Sequence, residues 1–87
     1  MYFVYMLRCR DHSIYTGITN NLDRRIYEHN QGKASKYTRV RLPVQLVYVE
    51  PIGTKSDALK REIELKKLKK KQKEQKVLDY SEMGKPK

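Results

Sequence analysis

An almost unbroken apolar run opens the chain, from Tyr2 to Cys9 (YFVYMLRC). Aromatic and β-branched residues begin it and no polar alternation interrupts it, so it reads as a β-strand covered on both faces. A polar turn, Arg10 to Ser13, follows, and Ile14 to Ile18 (IYTGI) reads as the returning strand of a hairpin. Asn20 or Asn21 can cap a helix from about Asn21 to Asn30, with Asp23 in its first turn and Gly32 where a left-handed C-terminal cap belongs. Lys33 to Leu42 (KASKYTRVRL) reads as a basic loop ended by Pro43, and Val44 to Val49 as a third strand closed by Pro51. Thr54 or Ser56 caps a second helix over Asp57 to Lys70, and Gln72 to Leu78 either continues it or makes a third, short helix.

With 87 residues the chain makes one domain with a modest core, for which one sheet and a few covering helices is the ceiling. The expected class is α+β: a small three-stranded sheet, mixed or antiparallel, flanked by helices in the order β-β-α-β-α-(α). The domain is expected over residues 1–80, with 81–87 a disordered tail.

The net charge of +10 favours polyanionic partners, nucleic acid before anionic membrane. It is no basic tail on a neutral domain, since both the part before Ile52 and the part after it carry twice as many basic as acidic residues. A lysine-rich helix is also what a solvated face looks like, so charge leaves both readings open. The single cysteine, Cys9, makes neither an internal disulfide nor a zinc cluster and reads as a buried, inert thiol. No signal peptide is visible and no stretch approaches a membrane span, so a soluble cytoplasmic protein is expected.

Several polar residues fall where a plain core would place apolar ones. On the first helix Arg25 and His29 lie four residues apart beside the inward stripe of Leu22 and Ile26, while Arg24 and Glu28 point elsewhere. Both can donate to a phosphate, and a histidine also moves protons near neutral pH. On the second helix Glu62 falls near the middle of an apolar arc of Ala58, Leu59, Ile63, Leu65 and Leu68, into which Lys66 and Lys69 also project. A buried carboxylate must be paired or bind a cation; a Glu62–Lys66 helix pair and a metal site explain it equally well. Gly17 follows Tyr15 by two residues, and a glycine weakens a strand unless a bulge or close approach needs it. Tyr5 and Tyr15, taken alone, are ordinary sheet residues.

The segments Val4-Tyr5 and Tyr15-Thr16-Gly17 resemble the two halves of the GIY-YIG motif. The run Tyr15 to Asn30, with its Arg25 and His29, continues the resemblance, and Ala58 to Glu62 (ALKRE) resembles the helix bearing that family's metal-binding glutamate. The likeness covers about the first 75 residues. It is strongest to the small stand-alone bacterial UPF0213, or YhbQ-like, group, which is itself similar to the SLX1-type nuclease domain.

The resemblance implies a GIY-YIG fold and a magnesium-dependent endonuclease, a hydrolase of DNA phosphodiester bonds with branched or damaged DNA and DNA repair in view. It implies that Glu62 is the sole protein ligand of one Mg²⁺ or Mn²⁺. Tyr5 deprotonates or positions the attacking water, and Tyr15 bonds the phosphate or that water. Arg25 stabilises the transition state, and His29 is a second proton carrier or phosphate contact. Arg25 and the metal are expected to favour the ionised form of Tyr5.

Two departures stand out. The first motif reads Phe3-Val4-Tyr5, without its glycine, and Ile18 stands where excision-repair relatives carry a lysine, which speaks against excision-type chemistry. Larger relatives choose targets with extra domains, so weak cutting or a protein partner is implied here. The basic residues Arg24, Lys33, Lys36, Arg39, Arg41, Lys66, Lys69 and Lys70 are the expected nucleic-acid contacts. Two alternatives stay open: a non-catalytic nucleic-acid-binding module, and an accessory subunit of repair or ribosomal complexes.

Overall fold

The computed structural model describes residues 1–83. The hairpin strands are β1 (Tyr2–Arg8) and β2 (Ile14–Thr19), followed by α1 (Leu22–Asn30), α2 (Lys36–Arg39), β3 (Gln45–Gly53), α3 (Lys55–Lys66) and α4 (Lys70–Met83). β1 is the central strand, with β2 and β3 paired antiparallel on its two sides. The sheet is therefore antiparallel throughout.

The unbroken apolar run takes the one position covered on both faces. Val4, Tyr5, Met6 and Leu7 are each at most 1% exposed. Val4 and Met6 pack with Ala58 and Leu65 of α3, and Leu68 and Val77 complete that layer. Tyr5, Leu7 and Cys9 pack with Leu22 and Ile26 of α1 and with Val44. Each fully buried aliphatic side chain of this kind contributes roughly 1.5–3 kcal/mol. Burial also pushes the Cys9 thiol pKa up, which keeps it in the unreactive protonated form.

The helix ends follow local chemistry. Asn21 accepts from the Arg24 amide, and Thr54 accepts from the Asp57 amide. At the end of α1, Gly32 takes φ +75°, and the Lys33 and Gly32 amides return to the Glu28 and His29 carbonyls. That double closure needs a left-handed residue, hence glycine.

Five expectations are corrected. The basic loop contains a one-turn helix, α2, capped by Ser35, whose hydroxyl accepts from the Tyr37 amide. β3 runs through Pro51 to Gly53, because an edge strand tolerates a residue without an amide hydrogen. The second helix stops at Lys66, where Lys67 begins a turn. A separate α4 of 14 residues, tied to β1 by a bidentate Arg8–Glu74 pair at 2.6 and 2.7 Å, then runs to Met83, past residue 80. Finally, the inward stripe of α3 is narrower than the apolar arc. Leu59 and Ile63 are 41% and 54% exposed, and Lys66 and Lys69 are also exposed, leaving Ala58 and Leu65 as the buried contacts. The rest of the expected tail, residues 84–87, lies outside the described residues. No described helix is long and apolar enough to cross a membrane.

Candidate active site

The antiparallel register places Gly17 directly opposite Tyr5. A β-carbon at Gly17 would lie 2.7 Å from the Tyr5 hydroxyl and 3.2 Å from the Tyr15 ring. This glycine is thus the gap into which the Tyr5 phenol fits, and its two-residue spacing from Tyr15 puts both tyrosines on one face. His29, in the last turn of α1, is completely buried against them. Its ring meets Tyr15 edge-on at 5.2 Å, and its Nε2 lies 2.8 Å from the Tyr5 hydroxyl.

The partner of the other ring nitrogen favours one arrangement of the protons. His29 Nδ1 is 2.9 Å from Thr38 Oγ1, and that hydroxyl donates to the Ser35 carbonyl at 3.3 Å. With its hydrogen so used, Thr38 accepts, so Nδ1 carries the histidine's proton and Nε2 accepts from Tyr5. Burial, reinforced by nearby Arg25, pushes the His29 pKa down to about 4, so the ring is neutral at pH 7. Burial also pushes Tyr5 up to about 12. Arg25 pulls the other way, as expected of it, and burial is the larger effect.

Arg25 reaches Glu28 at 3.4 Å, while its Nε–H is buried without an acceptor. Glu62, only 17% exposed on α3, is near enough for its charge to help raise the Tyr5 pKa. Its side chain meets Lys66 Nζ at 3.4 Å. The helix pair foreseen as one explanation of Glu62 therefore exists. Among the described residues no three His, Cys, Asp or Glu side chains form a metal cluster.

The structure thus brings Tyr5, Tyr15, Gly17, Arg25 and His29 together, with Glu62 bearing on them. Of the basic residues, Arg24, Lys33, Lys36, Arg39, Lys69 and Lys70 are exposed. Arg41 is committed elsewhere. It pairs with Asp11 at 2.9 Å, bonds the Tyr37 carbonyl and lies 3.8 Å over the Tyr37 ring. Thr38 and Tyr37, the latter stacked on Tyr15, were not foreseen. The only signal for them was Ser35 as the cap of an unrecognised turn.

A small antiparallel sheet presenting paired tyrosines, an inward arginine and histidine, and a carboxylate from a later helix defines the class. The chain belongs to the GIY-YIG family, whose catalytic domain matches residues 1–75. More particularly, it is 51% identical over 65 residues to a UPF0213 protein of Staphylococcus saprophyticus, covering 75% of this chain and 79% of that one. The relatives extend beyond bacteria: a UPF0213 protein of the archaeon Haloquadratum walsbyi is 44% identical over 98% of this chain and 96% of its own. The solution NMR structure of a UPF0213 protein from Bacillus halodurans is 46% identical with TM-score 0.55, covering 86% and 81% of the two chains.

Proposed function

We propose that the chain is a metal-dependent DNA endonuclease that hydrolyses phosphodiester bonds, acting on branched or damaged DNA. The observation that carries this reading is the buried hydrogen-bonded line Tyr5–His29–Thr38, with Arg25 and Glu62 both acting on the phenol. Membership of the GIY-YIG catalytic-domain family supports it.

Cleavage needs a water deprotonated as it attacks, and negative charge stabilised on the phosphoryl and leaving oxygens. A phenol with a pKa of about 12 holds little phenolate at neutral pH. It does not need to, because it already donates to a neutral histidine. Tyr5 positions the attacking water with its hydroxyl oxygen, held in place by the bond to His29 Nε2; a ring whose pKa is lowered to about 4 orients the phenol and does not store its proton. Thr38 keeps that nitrogen unprotonated and able to accept. Arg25 offers its unfilled Nε–H to a phosphoryl oxygen, and Tyr15, held against His29, bonds the phosphate or the water. Glu62 would hold one Mg²⁺ or Mn²⁺; a single shielded carboxylate fits a hard cation that completes its shell with water and phosphate. Bound there, the ion supplies neutralisation of the leaving oxygen.

A second reading, a nucleic-acid-binding module without turnover, is favoured by the Glu62–Lys66 pair, which engages the carboxylate within its own helix. Purified protein incubated with duplex, single-stranded and branched DNA, with Mg²⁺ or Mn²⁺, separates the two. Glu62→Ala abolishes cutting and leaves binding largely intact if the first is right. Absence of cleavage on every substrate, with salt-sensitive binding retained, rejects it.

A further inference from the structure

Beside the Tyr5–His29 cluster lies a recess of about 330 Å³ that the proposed chemistry does not use. Its walls are Ile14, Tyr15 and Thr16 of β2, Tyr37 of α2, Lys66 of α3 and Lys73 of α4. Tyr15 belongs to both places, since its ring also meets His29, so the recess is continuous with the site.

Its chemistry points to an anion. Two lysines, Lys66 and Lys73, line it and no carboxylate does. Lys73 forms no ion pair among the described residues, and the only one Lys66 forms is with Glu62. Lys73 also sits in the first turn of α4, where free amides and the positive end of the helix dipole lie. Thr16 adds an independent sign. It is 3% exposed, yet its Oγ1 has no hydrogen-bond partner. A buried hydroxyl left without a partner is costly, and Thr16 is one of the residues lining this recess, so a ligand there is the partner it lacks.

The remaining wall is aromatic and rigid. Tyr37 stacks on Tyr15 with centroids 6.1 Å apart and is covered by the Arg41 guanidinium. Cations beside an aromatic wall are the elements of grooves that hold single-stranded nucleic acid. The volume is that of a small-ligand pocket, enough for one backbone unit and too small for a duplex.

We propose that this recess is a strand-guiding subsite for nucleic acid with a single-stranded arm. It takes one phosphate and its sugar from the strand that continues beyond the phosphate held at Arg25 and Tyr5. Lys73 and Lys66 hold the phosphate, Thr16 donates to it, and Tyr37 packs against the sugar. The proposal rests on the nuclease reading for its substrate and names the substrate class: tailed or branched rather than blunt duplex.

The test is binding, measured without turnover. Fluorescence anisotropy in EDTA compares a labelled blunt duplex with the same duplex bearing a single-stranded arm, over a salt series. The wild type binds the armed form more tightly. Lys73→Gln lowers the slope of log affinity against log salt by about 0.7 for the armed substrate and leaves the blunt one unchanged. Thr16→Val, which replaces the hydroxyl by a methyl, weakens armed binding about tenfold with no fall in thermal stability. An equal slope change on both substrates, or a Thr16→Val protein that binds like the wild type, overturns the proposal. Inorganic phosphate that competes better than chloride at equal ionic strength, with no preference for the arm, marks a lone-anion site and overturns it too. Cleavage is scored separately: an arm preference without cutting removes the nuclease reading alone, and cutting without an arm preference removes this subsite alone.

Discussion

Thr38→Val is the substitution whose consequences reach furthest. It keeps the shape of the side chain and removes only the hydroxyl. His29 is fully buried, and Thr38 Oγ1 is the acceptor for its Nδ1–H at 2.9 Å. The Ser35 carbonyl, which also loses a donor, keeps the Arg39 amide at 3.0 Å, so it is not orphaned. The cost is therefore that of one buried unsatisfied donor, about 2 kcal/mol, or roughly 10 °C in melting temperature for a domain of this size.

The ring has one escape from that cost, which is to move its proton to Nε2. That nitrogen would then donate to the Tyr5 oxygen, reversing the 2.8 Å bond and turning the phenol hydrogen out toward the water. Cleavage should fall by about 10²-fold, the scale of a misplaced reacting group and more than the lost stability explains. Imidazole ¹⁵N NMR reads the tautomer directly: Nδ1–H in the wild type, a shift toward Nε2–H in Thr38→Val, and restoration in Thr38→Ser. A wild-type ring protonated on Nε2, or an unchanged melting temperature and tautomer in Thr38→Val, would refute the reasoning.

Other outcomes follow from the same geometry. Because burial lowers His29 from its ordinary 6.5 to about 4, the unfolded chain binds the extra proton between those values. Stability is then full above pH 6.5 and lost as pH falls toward 4, by about 3 kcal/mol in all. His29→Gln should flatten that slope in denaturant titrations, and an unchanged slope would show that other groups carry it. Gly17→Ala places a methyl 2.7 Å from the Tyr5 hydroxyl, so the ring must leave His29. We expect a loss of about 1–3 kcal/mol in chemical unfolding and of the Tyr5–His29 hydrogen bond by NMR; a fully stable variant with that bond intact contradicts the packing described. Arg8 holds the Glu74 carboxyl below its ordinary pKa, chiefly by hydrogen bonding. Since the pair is partly solvated, Glu74→Gln should cost no more than about 1 kcal/mol, with faster hydrogen exchange in α4 and not in β1.

Much of this was legible along the chain. The run Tyr2 to Cys9 announced a strand with two covered faces, and the structure puts it in the middle of the sheet. Caps at Asn21 and Thr54 and the left-handed Gly32 follow from side chains a few residues away, which is why local pattern suffices to place them. Gly17, Arg25, His29 and Glu62 were each visible as residues at odds with a plain strand or core, whereas Tyr5 and Tyr15 stood out only through the resemblance to the GIY-YIG motif. What the pattern could not settle was which apolar residues of α3 face inward. Leu59 and Ile63 are as apolar as Leu65, and only the packing of the helix on the sheet left them in solvent.

The strand order, with β1 central between two antiparallel partners, came only with the fold, whereas the sequence by itself determined the identities of the groups that gather at the site. Their protonation was decided by the tertiary structure. Tyr5 meets His29 across 24 positions and His29 meets Thr38 across nine, and no local rule pairs residues so far apart. Burial then outweighed the help expected from Arg25, because removing water from a phenol costs its charged form more than one nearby arginine restores.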